Sequence, residues 1–162
     1  MSELIGYRQT VLISCRGKAK ILGKEELKDN IMTIDWHMQT SFAPFLYAIS
    51  IGKKRFSHDI IDKSKVFCVN FMPFSLKNEI LFCGRNTGMT MDKFKETGLT
   101  KEECDKIDCC RINEAIGYLE CQIIEQVKTG DHTIFIGKVL LEKLKSNENR
   151  AYHQEGNEFR TI

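Results

Sequence analysis

The chain has 162 residues, with 24 Lys and Arg against 22 Asp and Glu, so its formal net charge of +2 is a small difference between two well-mixed populations. That balance excludes a strong electrostatic footprint for nucleic acid or an anionic membrane surface, while 42% hydrophobic and 28% charged residues exclude disorder, collagen and coiled coil. The length predicts one domain over 1–162, since cores divide only beyond about 250 residues.

In chain order, Thr10 to Cys15 reads as a first strand, and after the polar stretch Gly23 to Asp29 the apolar pattern resumes at Ile31. The run Phe45 to Ile51 alternates by size. Phe45, Tyr47, Ile49 and Ile51 share one face of a strand, and Leu46, Ala48, Ser50 and then Gly52 share the other. A face of small residues either admits something flat or meets a second packed layer. Ser57 is a good N-cap for a short helix His58 to Lys63, and Lys65 to Phe71 is a β-branched and aromatic strand. Ser75 to Cys83 carries Leu76, Ile80 and Cys83 at helical spacing, stopped by Gly84. Asp92 to Glu96 predicts a helical turn ended by Gly98, and Thr100-Lys-Glu-Glu reads as a capping box opening a helix to about Lys106. The clearest strands come last, Gly117 to Val127 and Thr133 to Leu144, joined by a turn at Thr129-Gly130-Asp131. Helices inserted between antiparallel strands predict a mainly β, barrel-like architecture, not a parallel doubly wound fold.

The longest largely apolar stretch, Phe42 to Gly52, contains Pro44 and Ser50 and is far shorter than the roughly 20 residues of a membrane-spanning helix. Met1-Ser2-Glu3-Leu4-Ile5 lacks the basic start and apolar middle of a secretory signal, so the expected location is the cytoplasm. Cys15, Cys68, Cys83, Cys104, Cys109, Cys110 and Cys121 are odd in number and contain no Cys-x-x-Cys. Neither a disulfide framework nor a zinc or iron–sulfur motif is expected, and a reducing compartment fits. Cys68 and Cys121 sit in strand patterns as small hydrophobes, whereas the role of Cys104, Cys109 and Cys110 stays open.

Dinucleotide, phosphate-loop, zinc-protease and nucleophile-elbow signatures are absent. Two stretches stand out instead. Asn30 to Trp36 gathers an amide, a hydroxyl and the only tryptophan, and Cys83-Gly84-Arg85-Asn86-Thr87-Gly88 is a Gly-flanked polar loop followed by Asp92-Lys93-Phe94. Backbone N–H groups and a nearby cation in such a loop suit a phosphate. Taken singly, the loop reads as a turn, Trp36 as core packing, His132 as a hairpin surface residue and Lys93 as a solvated helix charge.

Their order and spacing, together with Asn-x-Met-Thr-x-x-Trp at 30 to 36, Ile49-Ser50-Ile51, Arg-Phe-Ser at 55 to 57, Phe67-Cys-Val-Asn70, Leu119-Glu120-Cys121, Gly130-Asp131-His132 and Gly137-Lys-Val139, resemble the flavin reductase-like family, close to its flavoredoxin branch. The resemblance runs from about Val11 to about Phe159. It departs from the usual family pattern at Thr87-Gly88-Met89-Thr90, where Ser-Gly-Arg-Asp is common, and at Ala43-Pro44, where a double proline is common.

The resemblance implies an antiparallel, Greek-key-like split β-barrel with short inserted helices, a homodimer, and non-covalently bound FMN. As implied site residues, Asn30, Thr33 and Trp36 line the flavin, Ser50 faces its ring system, and Ser57 holds the ring or phosphate. Thr87 belongs to the phosphate loop, Lys93 supplies positive charge, His132 approaches from the hairpin, and Tyr152 and Phe159 in the tail cover the site, in cis or across the dimer. No catalytic residue is assigned, because the flavin itself carries the hydride or electrons. The implied enzyme passes electrons from NADH, NADPH or a reduced protein to flavin, ferric iron or another acceptor, without membrane or nucleic acid. The alternatives are an FMN electron carrier of flavoredoxin type without NAD(P)H turnover, and a non-enzymatic β-barrel for single-stranded nucleic acid, which would need a basic aromatic groove.

Overall fold

The computed structural model describes residue 4 and residues 6–161. Its strands are β1 (Arg8–Gln9), β2 (Val11–Ile21), β3 (Lys24–Ile34), β4 (His37–Ser41), β5 (Leu46–Gly52), β6 (Val66–Phe71), β7 (Lys101–Glu103), β8 (Cys110–Ile112), β9 (Gly117–Thr129), β10 (His132–Leu144), β11 (Tyr152–His153) and β12 (Phe159–Arg160). Among the described residues three α-helices are inserted: α1 (Phe56–Ser64), α2 (Lys77–Arg85) and α3 (Lys93–Thr97), with a 3-10 turn at Phe74–Leu76 leading into α2.

Seven strands form one antiparallel sheet in the order β3-β2-β6-β9-β10-β5-β4, which curls so that β3 returns against β5. This is the expected split β-barrel. Its inner faces follow the alternation in the strands: Ile13, Ile49, Phe67 and Phe135 meet under Ile60 and Ile61 of α1. The opposite face of β2 and β3 is covered too, with Leu12 and Ile31 packed against Ile80 of α2, Phe94 of α3 and Ile112 of β8. Burial on both faces explains why β2 begins with a continuous apolar run. Among the described residues no helix is long and apolar enough to cross a membrane.

Several expected elements differ. The polar stretch Gly23 to Asp29 is not a connection but the outer half of β3, paired residue for residue with β2 across the Leu22-Gly23 turn. Both turn residues have positive φ, 48° and 83°, as a tight hairpin demands. The outer half of β3 has no buried apolar face, so no alternation announces it.

Helix α1 starts earlier than expected, capped by the backbone of Arg55 and not by Ser57. α2 runs through Gly84 to Arg85, the glycine sitting close against β3 where a Cβ would fall 3.2 Å from Thr33 Cβ. The helix expected from Thr100 to Lys106 is absent, and Lys101–Glu103 pairs with β8 instead. Both halves of the presumed capping box have other partners: the Thr100 N–H donates to the Glu114 carboxylate (3.0 and 3.1 Å), and Glu103 accepts from Arg16 at 2.6 Å.

Candidate functional site

Two cavities lie where β3 and β5 end. The first, about 280 Å³, is enclosed by Asn30, Met32 and Thr33 of β3, Lys54 and Arg55 of the β5–α1 turn, Phe56 and Ser57 at the start of α1, Cys83 to Gly88 of α2 and its following loop, and Lys93 of α3. Lys54, Arg55, Arg85 and Lys93 line it, and among the described residues no carboxylate does. The N-terminus of α1 opens here with no side chain capping it, which adds the positive end of the helix dipole.

Its floor is rigid. Asn30 and Ser57 are each 2% exposed, and Asn30 Nδ2 donates to Ser57 Oγ at 2.8 Å. Gly88 lies directly over Asn30, so close that a Cβ would fall 2.0 Å from Asn30 Oδ1. Thr33 Oγ1 donates to the Ile80 carbonyl at 2.5 Å and ties β3 to α2. Lys93 is not a solvated charge. It is 4% exposed, donates to the carbonyls of Ile31 and Cys83 at 2.8 Å each, and burial pushes its pKa down. An ammonium has three N–H groups, so one remains for a ligand.

The second cavity, about 600 Å³, is walled by Trp36, His37 and Met38, by Tyr47, Ala48, Ile49 and Ser50 of β5, by Ile134 of β10, and by Arg8, Gln9 and Asp35. The small-residue face of β5 therefore opens onto space. Trp36 is 47% exposed, which overturns the core-packing reading, and its ring lies 4.7 Å from that of His132 with a 36° tilt. Gly52 joins the two cavities along the chain, with a Cβ position 3.6 Å from both His132 and Arg55. In this wall Arg8 Nε and Gln9 Nε2 are buried donors without a hydrogen-bond partner among the described residues.

Asn30, Thr33, Ser57, Thr87 and Lys93 thus surround one cavity, and Trp36 and Ser50 line the other, with His132 against the Trp36 ring but not in the lining. Tyr152 and Phe159 line neither. Tyr152 pairs with Gln9 in a small sheet of β1, β11 and β12, and Phe159 packs on His153 at 4.8 Å. The tail residue that does reach the cavity rim is His153, whose Nδ1 lies 2.7 Å from Asp35 Oδ2.

Sequence reasoning missed His153, Arg8 and Gln9, which carry no local pattern. It also missed Lys54 and Arg55, although a basic pair between a strand end and a helix start is a legible anion signal.

The flavin reductase like domain family matches residues 8–161. An uncharacterised protein of Archaeoglobus fulgidus is 34% identical over 113 residues, 70% of this chain and 64% of that protein, so the match spans less than two thirds of the relative's length. Among solved structures, the flavoredoxin of Desulfovibrio vulgaris superposes with a TM-score of 0.85 at 18% identity, covering 100% of this chain and 90% of that one. An FMN-binding protein from Thermus thermophilus gives 0.82 at 20% identity, and a Streptomyces globisporus NADH:FAD oxidoreductase also gives 0.82 at 20%, each covering 96% of this chain and 86% of the other.

Proposed function

The chain belongs to the flavin reductase-like family, and on that premise we propose that it is a cytoplasmic, homodimeric flavoprotein that binds FMN non-covalently and passes electrons from NAD(P)H or a reduced protein to flavin, ferric iron or another acceptor. The observation that carries this reading is the pair of cavities: a small cationic one without a carboxylate beside a larger one walled by Trp36 and the small face of β5. A phosphomonoester carries about −1.5 to −2 charge at neutral pH and takes charge-assisted hydrogen bonds from the donors present. Lys54, Arg55 and Lys93 would hold it, with Ser57, Thr87 and the first N–H groups of α1 completing the shell.

Asn30 and Thr33 would fix the ribityl side, and Trp36, Ser50 and His132 would bound the ring. Arg8 and Gln9 supply donors that a ring edge with carbonyl and nitrogen acceptors would satisfy. The flavin, when bound, supplies the hydride and electron chemistry, so the chain's own task is to bind, orient and shield. Tyr152 and Phe159 take no part within one protomer.

The test is an absorbance spectrum of the purified protein, extraction and chromatography of the flavin, and anaerobic titration with NADH and NADPH. One FMN per chain, bleached by either nucleotide, supports the reading in full. Bound FMN that neither nucleotide reduces would make the protein an electron carrier, and a colourless protein that cannot be reconstituted would refute flavin binding.

A further inference from the structure

A second chemically distinctive cluster lies away from both cavities. Cys68 of β6, Cys104 just after β7 and Cys109 just before β8 pack together with Tyr118 and Leu141. None of the three thiols lines either cavity. Glu103 is paired with Cys110, so Cys104 stands opposite Cys109 in the same register, and the Cys104 N–H donates to the Cys109 carbonyl at 2.9 Å. Residues opposite one another on antiparallel strands have Cα atoms about 4.5–5.5 Å apart, inside the roughly 4.4–6.8 Å that a disulfide spans.

The three sulfurs are not equivalent. Cys68 and Cys109 are wholly buried, and Cys104 alone is partly open to solvent. The Cys109 thiol donates to the Ser14 carbonyl at 3.4 Å and the Cys68 thiol to Asn70 Oδ1 at 3.9 Å, while Cys104, packed beside both sulfurs and near the Arg111 guanidinium, is held well below the ordinary thiol range despite its partial burial and nearby Asp105. Cys109 is raised by its closeness to Cys104 and Cys110 together with burial, and Cys68 by burial and Cys104. The loop between the pair is fastened from below by Glu120, which is 0% exposed and accepts from the N–H groups of Asp105 and Lys106 at 2.6 to 3.0 Å. Among the described residues no group of three or more His, Cys, Asp or Glu is arranged to hold a metal ion. The arrangement suits a nucleophilic thiolate beside a second thiol.

We propose that Cys104 and Cys109 form a hydroperoxide-reactive thiol pair that closes to a disulfide at the tip of the β7–β8 hairpin. The Cys104 thiolate attacks one peroxide oxygen: an S–O bond forms, the O–O bond breaks, and the departing hydroxide takes a solvent proton to leave as water. The Cys109 sulfur then displaces hydroxide from the Cys104 sulfenic acid, forming S–S, and its own proton departs with that hydroxide as a second water. Two thiols lose two electrons and one hydrogen peroxide is reduced to two waters. An external thiol reductant reverses the closure.

The test uses the flavin-reconstituted protein, treated with one equivalent of hydrogen peroxide, alkylated, digested with trypsin and mapped by mass spectrometry. Cys104 falls in the peptide 102–106, Cys109 and Cys110 in 107–111, and Cys68 in 66–77. The expected product joins 102–106 to 107–111 with loss of two hydrogens, is reversed by dithiothreitol, and is lost in Cys104→Ser and Cys109→Ser but kept in Cys110→Ser. At about pH 6 iodoacetamide should label Cys104 in the parent about tenfold or more faster than any other cysteine. Retained FMN binding in both serine variants reports that they fold. Linkage of Cys104 to Cys68, loss of the linkage only in Cys110→Ser, oxidation of Cys104 to sulfinic acid without linkage, or labelling of Cys104 no faster than the rest would each overturn the proposal.

Discussion

Single side chains decide whether the cationic cavity can hold a phosphate. Lys54 and Arg55 line it from a turn and carry no core contact, so Lys54→Ala and Arg55→Ala should each weaken FMN binding by about 1.5–3 kcal/mol, roughly ten- to a hundredfold, with unfolding midpoints unchanged. Lys93→Ala differs. Its removal leaves the buried carbonyls of Ile31 and Cys83 without their donor, so denaturant titration should show a stability loss of about 1–3 kcal/mol alongside weaker binding. Gly88→Ala puts a methyl group into the Asn30 amide, which Ser57 prevents from moving away. FMN affinity should fall at least about tenfold and stability by about 1–3 kcal/mol, and unchanged affinity would mean that the 84–88 loop does not frame the site. At this scale the sequence was legible for residue type but not for environment. Asn30, Ser57, Thr87 and Lys93 do share a cavity, whereas the burial of Lys93 and the exposure of Trp36 depend on β3, α2 and β10 meeting, which no local pattern encodes.

Among elements, the hairpin of β2 and β3 is joined to β7 by a charge cluster in which Asp29 accepts from Arg16 at 2.6 Å and from Lys101 at 2.8 Å. Burial alone would raise the Asp29 carboxyl, but Arg16 and Lys101 more than offset it and hold it below the ordinary carboxylate range. A carboxyl so depressed contributes stability that is fully present above its unfolded value of about 3.9 and is lost as pH falls through the lower folded value. Asp29→Asn should therefore cost about 1.5–3 kcal/mol in urea unfolding at neutral pH. The gap between variant and parent should close as pH drops below about 4, and a gap independent of pH would exclude the ionic account. The same cluster explains why Thr100-Lys-Glu-Glu misleads as a helix start: local capping competes with Arg16 and Glu114, and the long-range partners win. Strands with an alternating pattern, β5 and β9 among them, were readable because their apolar residues fall on the face that packs into the barrel core, although the burial of Glu120 on the other face of β9 was not announced.

For the whole molecule, β4 is an edge strand of the large sheet and exposes Met38, with Trp36 and Phe42 exposed on either side of it. An apolar edge beside a cavity is the surface that the proposed dimer would cover. Sedimentation at micromolar concentration should give a dimer, and a monomer with full flavin affinity would contradict the proposed assembly. The barrel was legible from the order of short motifs, but the tail was not: His153 and not Tyr152 or Phe159 meets the cavity rim, because the register of β11 on β1 sets which side chains face Asp35. The account as a whole rests on the cationic cavity taking the phosphate of a flavin whose ring lies in the neighbouring one. The most direct measurement is a fluorescence titration of the flavin-free protein with FMN and, in parallel, with riboflavin, which has the same ring and no phosphate. The account predicts FMN binding tighter by at least about tenfold, with that advantage abolished in the Lys54→Ala, Arg55→Ala double variant. Equal affinity for the two flavins, or an FMN advantage that survives the double variant, would contradict it.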